Sequence, residues 1–73
     1  MRTYLVNRRR ELNLTIEMLA ELADVSPQYI SLLENGKRGK KVSFSVMCRL
    51  SNALNIPIEE LKDLELNYKK KRN

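Results

Sequence analysis

Apolar residues recur at intervals of three and four along most of the chain, and no long stretch alternates between apolar and polar residues. The clearest stripe consists of Ile16, Leu19, Ala20 and Ala23. Such intervals place side chains on one face of an α-helix, so this stripe predicts a helix that packs against a core. Glycine and proline, which interrupt helices, occur only twice each in 73 residues. The pattern therefore predicts an all-α protein.

Residues typical of helix ends divide the chain into five helices. Helix 1 is expected over about residues 3–12 and stops at Asn13, which tolerates the left-handed backbone conformation of many helix ends. Gly36 ends helix 3 by the same chemistry. The other helices start at residues that favour helix beginnings: Thr15, Ser26 followed by Pro27, Ser43 and Pro57. Only Asp24 and Val25 then separate helix 2 from helix 3.

The spacing in the last two helices predicts further core positions. They are Phe44, Met47, Leu50, Ser51 and Leu54 in helix 4, and Ile58 and Leu61 in helix 5, with Leu64 left open. Residues 65–73 fit a helix extension, a pairing strand or a disordered tail. We therefore expect a domain over residues 1–66, followed by a basic C-terminal tail over residues 67–73.

Composition narrows the classes of function. A chain of 73 residues forms one small domain. It has no histidine, which is the commonest general base and zinc ligand, and its single cysteine, Cys48, allows neither an internal disulfide nor a cysteine metal cluster. No apolar run approaches the roughly 20 residues of a membrane span, and no signal peptide is recognisable. We expect a cytoplasmic binding module that is not an enzyme and needs no metal or cofactor.

Charge is arranged in blocks that the net charge of +5 conceals. Residues 1–13, 36–56 and 69–73 are basic, whereas the two stretches between them are acidic. If the three basic blocks converge on one face, they form a surface that binds phosphates. The alternative is ordinary solvated surface charge with a frayed basic tail.

The stretch over residues 14–36 is the most informative about function. Two helices joined by so short a link cross at a steep angle, which is the geometry of a helix-turn-helix. A bare helical hairpin without a ligand is the alternative. At this point the sequence resembles the Cro and phage-repressor type of helix-turn-helix domain, the XRE-like family, over roughly residues 5–64. The matching residues are Arg9, Leu14, Thr15, Leu19, Ala20, Val25, Ser26, Ile30, Ser31, Leu33, Glu34, Asn35, Gly36, Leu50, Ala53 and Leu54.

The resemblance implies a compact five-helix bundle of the lambda-repressor-like type, in which helices 2 and 3 form the helix-turn-helix. It also implies binding to double-stranded DNA, with helix 3 in the major groove. The residues expected to read bases are Pro27, Gln28, Tyr29 and Leu32. Those expected to bind phosphates are Thr15, Asn35, Lys37, Arg38, Lys40 and Lys41. Arg9 and Glu34 are expected to form the family's internal ion pair, the alternative being two independent surface charges.

The chemistry of three of these side chains agrees with base reading. Gln28 can form two hydrogen bonds with an adenine, and Leu32 or the Tyr29 ring can contact a thymine methyl group. Gln28 could instead be an ordinary solvated residue, and Tyr29 could be half-buried packing. Ile16 stands where many relatives have a glutamine that contacts DNA, which makes the expected reading surface unusually apolar. The loop between Gly36 and Ser43 is also longer than the common pattern.

One recognition helix gives little specificity, so we expect a homodimer on an inverted-repeat operator, with half-sites about 34 Å apart. Three apolar residues near the C-terminus are not required to complete the core of the monomer, and we expect them to form the dimer contact: Leu64, Leu66 and Tyr68. The leading hypothesis is a small transcriptional regulator, either a repressor or an autoregulator. A protein antagonist could relieve the repression. The alternative is an antitoxin or a restriction–modification controller protein of the same fold, which binds a protein partner as well as its promoter.

Overall fold

The computed structural model describes residues 1–36 and 42–71, and these ranges contain five α-helices and no strand. The helices are α1 (Thr3–Glu11), α2 (Ile16–Ala23), α3 (Pro27–Glu34), α4 (Phe44–Leu54) and α5 (Ile58–Lys71). The predicted all-α, five-helix architecture is therefore confirmed. In the described part of the chain, no helix combines the length and apolar character that crossing a bilayer requires.

Three predicted helix starts are confirmed by their hydrogen bonds. Each cap oxygen accepts a bond from the backbone N–H three residues later: Thr15 Oγ1 at 3.0 Å, Ser26 Oγ at 3.1 Å and Ser43 Oγ at 3.2 Å. A cap of this kind satisfies an N–H that the helix leaves unpaired and is worth about 1 kcal/mol. The starts of α2, α3 and α4 are thus determined by local sequence.

Left-handed residues end three of the helices. Asn13, Asp24 and Asn55 have φ values of 58°, 56° and 55°. Short polar side chains tolerate this region because they can form local hydrogen bonds. At Asp24 the chain turns from α2 towards α3, and the N–H of Val25 donates to the carbonyl of Ala20 at 3.0 Å. The prediction for Asn13 is confirmed, and the same chemistry forms the link of the helix-turn-helix.

The hydrophobic core lies where α2 crosses α3 and α4. Its members include Leu19, Ala23, Ile30 and Leu54, which are fully buried. The small side chains of Ala20 and Ala23 on α2 are buried at this crossing and leave room for the neighbouring helices. This packing fixes the orientation of α3 relative to α2.

The prediction that Phe44 belongs to the core is wrong, since its side chain is 69% exposed. The buried row of α4 is Val46, Leu50 and Leu54, spaced by four residues. Extended towards the N-terminus, this row reaches Val42, which packs against the core. Phe44 lies two residues from both Val42 and Val46 and therefore points to the other side of the helix.

Of the three alternatives for residues 65–73, a helix extension, a pairing strand or a disordered tail, the structure shows a helix extension over residues 65–71. α5 continues to Lys71, so the expected division between residues 66 and 67 falls within a helix. Leu64 packs against the core, and the expectation that it exceeds the needs of the core is wrong. Leu66 is 55% exposed, and the ring of Tyr68 lies under a guanidinium group of the same chain. Residues 72 and 73 lie outside the described residues.

Candidate nucleic-acid interface

α3 presents one face to the core and the opposite face to solvent. Ile30 and Leu33 are buried and anchor the helix. Pro27, Gln28 and Leu32 are exposed on the outer side. These three predicted base readers therefore lie at the accessible surface, as a major-groove helix requires.

Tyr29 differs from the other predicted base readers. Its side chain is half-buried and packs against the core. Because of this packing, the Tyr29 side chain is less exposed than those of Pro27, Gln28 and Leu32. The apolar reading surface is thus smaller than the sequence suggests.

The N-terminus of α2 is the second element of the candidate surface. Thr15 is exposed, and its hydroxyl accepts the hydrogen bond from Met18 N that caps the helix. Free N–H groups and the helix dipole favour a phosphate at such an end. Ile16, at the position where the resemblance leads us to expect a glutamine, is half-buried and packs against the core. This side chain therefore adds to the core.

The predicted phosphate-binding residues after α3 are only partly described. Asn35 is exposed directly after the helix, where its Nδ2 lies 3.5 Å from Ser31 Oγ. Lys37, Arg38, Lys40 and Lys41 lie outside the described residues.

Arg9 and Glu34 lie against each other as a pair of charged groups. Arg9 Nε donates to Glu34 Oε2 at 2.6 Å, and Nη2 donates to Oε1 at 3.2 Å. Arg9 Nη1 also donates to the carbonyl of Leu14 at 2.8 Å. The two side chains are 11% and 6% exposed, so the contact is largely buried. It connects α1 to the last residue of α3 and to the residue before the Thr15 cap.

A second, more deeply buried arginine holds the same end of α3. Arg2 is only 1% exposed, and its Nη1 donates to the carbonyl of Leu33 at 2.9 Å. Its backbone N–H donates to the carbonyl of Glu34 at 2.8 Å. Nε and Nη2 donate to the two carboxylate oxygens of Glu65 at 3.0 and 2.9 Å. Arg2 thus joins the C-terminal end of α3 to α5.

Two half-buried tyrosines complete the group of Arg2, Tyr4, Glu65 and Tyr68, which we call the arginine cluster. Tyr4 Oη donates to Glu65 Oε1 at 2.6 Å, and the Arg2 guanidinium carbon lies 4.5 Å from the centre of the Tyr68 ring. Burial disfavours the Glu65 carboxylate, but the hydrogen bonds from Arg2 and Tyr4 outweigh it and lower the pKa of Glu65. Burial and the hydrogen bond to Glu65 raise the pKa of Tyr4 above its ordinary range.

The arginine cluster was not predicted from the sequence, where Arg2 is only one of several positive charges in the basic block over residues 1–13. A signal exists in α5, where Ile58, Leu61, Glu65 and Tyr68 follow at intervals of three, four and three. A carboxylate on such an inward-facing stripe needs a buried partner. The pattern does not reveal which cation supplies it, because the partner is distant in sequence.

Comparison with known proteins identifies the family. A family model described as helix-turn-helix matches residues 5–61, most of the chain. The chain therefore belongs to the helix-turn-helix family of the Cro and phage-repressor type, whose domains are DNA-binding regulators. Neither a search of curated proteins nor a search of solved structures found a match. All four residues of the arginine cluster lie outside the matched range.

Proposed function

We propose that this protein is a sequence-specific transcriptional regulator that places α3, residues 27–34, in the major groove of double-stranded DNA. The observation that carries this proposal is the division of α3 into a buried and an exposed face. Ile30 and Leu33 fix the helix on the core, while Gln28 and Leu32 face outwards. A helix held in this way can enter the groove without rearrangement of the fold.

The exposed side chains define the expected contacts. Gln28 suits the N6 and N7 atoms of an adenine, and Leu32 suits a thymine methyl group. The N-terminus of α2 and Asn35 would contact phosphates on either side of the groove. Lys37, Arg38, Lys40 and Lys41 follow directly in the sequence and would add charge-dependent affinity.

We further propose a homodimer that recognises an inverted repeat and represses transcription from the bound promoter. Two recognition helices are needed because a single one contacts too few base pairs for useful specificity. Among the three predicted dimer contacts, Leu66 is the best candidate, because its side chain is exposed. Leu64 and Tyr68 contribute to the fold of the monomer and are weaker candidates.

The experiment is selection of binding sites from random duplex DNA, with the molar mass of the bound species measured in parallel. We expect an enriched inverted repeat with half-sites about 34 Å apart, bound by two chains. A protein that enriches no motif and binds weakly, with steep salt dependence, would contradict sequence-specific recognition by this chain alone. That outcome would favour an antitoxin or controller protein that acts with a protein partner.

A further inference from the structure

We propose that Arg2 is a positioning residue for DNA recognition, because it fixes the C-terminal end of α3 and attaches it to α5. This inference rests on the proposed function, since it concerns how the reading helix is held. Arg2 contacts α3 through the carbonyls of Leu33 and Glu34, and α5 through Glu65.

α3 needs support at this end. It has eight residues, and helices of that length are not stable on their own in water. Its last turn contains no basic residue whose positive charge could stabilise the negative end of the helix dipole. The Arg2 guanidinium supplies a positive charge there and a hydrogen bond to Leu33 O. At its other end α3 is capped by Ser26, so both ends are held by directed hydrogen bonds.

The guanidinium is itself held rigidly. Nε and Nη2 donate to the Glu65 carboxylate, Nη1 donates to Leu33 O, and Tyr68 covers the face of the group. Glu65 in turn accepts a hydrogen bond from Tyr4. Since a guanidinium is planar and its donors form a fixed fork, such a group tolerates little displacement. These directed contacts therefore restrict movement of the end of α3 relative to α5.

A purely stabilising role explains this arrangement poorly. Removing two charges from water is costly, and an apolar pair of similar volume often stabilises a fold as well or better. What an apolar pair cannot supply is a directed bond to the Leu33 carbonyl. At this end of α3, Arg9 contacts the Glu34 side chain, whereas the Arg2 guanidinium donates directly to the backbone carbonyl of Leu33.

The test compares the double variant Arg2→Met/Glu65→Leu with Arg8→Met. Arg8 is a matched control, because its Nε donates to Leu54 O at the C-terminal end of α4. Each protein is measured for its free energy of unfolding, its affinity for the selected duplex and its affinity for a scrambled duplex. Hydrogen exchange of the Gly36 amide, which bonds to Leu33 O, reports on the end of α3 without DNA.

We expect the double variant to remain folded, to exchange the Gly36 amide faster and to lose at least about fivefold in its preference for the selected duplex, the loss of one good base contact. Arg8→Met should keep the wild-type preference. An unchanged preference in the folded double variant, or an equal loss in both variants, would overturn the proposal.

If the double variant does not fold, Arg2→Lys replaces it in the comparison. A lysine can pair with Glu65, but it cannot also keep the fork geometry towards Leu33 O. The preference for the selected duplex should again fall, and an unchanged preference would refute the positioning role. Wild-type protein without any sequence preference would instead refute the proposed function, and this result is visible before any variant is compared.

Discussion

The hydroxyl oxygen of Tyr68 lies 2.7 Å from the position that a β-carbon on Gly36 would occupy. Gly36 follows α3 with a φ of 74°, a conformation that residues with a side chain rarely adopt. The chain that leaves α3 therefore passes directly against Tyr68 of α5, and a side chain at position 36 would strain the backbone and require Tyr68 to shift.

We expect Gly36→Ala to lower the free energy of unfolding by about 1–2 kcal/mol, because of its left-handed backbone and the close Tyr68 oxygen. Urea denaturation measures the effect. The double variant Gly36→Ala/Tyr68→Phe should recover part of the loss relative to the two single variants, because the hydroxyl is gone. Strictly additive effects would show that the hydroxyl does not limit this position.

Removing one partner of the pair between Arg9 and Glu34 should be costly. Arg9→Met leaves a largely buried carboxylate without its partner, and we expect a loss of about 3 kcal/mol. Arg9→Met/Glu34→Leu should be more stable than Arg9→Met alone. The control is Glu11→Gln, which removes an exposed contact to Arg8 and should cost at most about 0.5 kcal/mol in the same denaturation assay. Similar losses for Arg9→Met and Glu11→Gln would contradict the buried pair.

Stability should depend on pH through Glu65. Its pKa in the folded protein lies below the ordinary value of 4.5, so its contribution is present above pH 4.5. The contribution is lost as the pH falls through the folded-state pKa. The free energy of unfolding of wild-type protein should therefore exceed that of Glu65→Gln most at neutral pH, with a smaller difference at pH 3. A difference between wild-type protein and Glu65→Gln that stays constant from neutral pH to pH 3 would speak against this role.

Gln28→Ala tests base reading most directly. We expect it to weaken binding to the selected duplex by about 1–3 kcal/mol and to leave binding to scrambled DNA nearly unchanged. Titration of both duplexes by fluorescence anisotropy measures the two affinities. Asn7→Ala, which removes an exposed amide from α1, serves as the control. Equal losses on both duplexes would exclude Gln28 as a base reader.

Leu32 should recognise a methyl group. Replacing thymine by uracil removes that methyl and leaves the hydrogen-bonding groups unchanged. We expect wild-type protein to bind a selected duplex more weakly when uracil replaces the thymine opposite Leu32, whereas Leu32→Ala should bind both duplexes equally. A difference that persists in Leu32→Ala would assign the methyl contact to another residue, with the partly accessible Tyr29 as the first alternative.

The sequence predicts those features that depend on neighbouring residues. The caps at Thr15, Ser26 and Ser43 and the left-handed Asn13 follow from local chemistry, and the structure confirms them. The prediction that Phe44 is buried is wrong because α4 has two apolar rows, and packing against the other helices decides which row faces the core.

Long-range features of the site could not be predicted in the same way. The pair of Arg2 and Glu65 depends on the arrangement of three separate helices, which no local pattern encodes. The contact between Tyr68 and Gly36 likewise needs the path of α5 beyond Leu64, where the sequence left three alternatives. By contrast, the exposed positions of Gln28 and Leu32 follow from the periodicity of a single helix.

Arg2 and Glu65 are separated by 63 residues, so their contact closes almost the entire chain into one loop. Contacts of such long sequence separation tend to form late in folding, because the intervening chain must be ordered first. During synthesis on the ribosome, the helix-turn-helix emerges before α5, and the C-terminal end of α3 then lacks its final support. A chain terminated before residue 65 would carry α3 without the contact that holds its C-terminal end, and we expect the proposed DNA recognition to be weaker in such a chain.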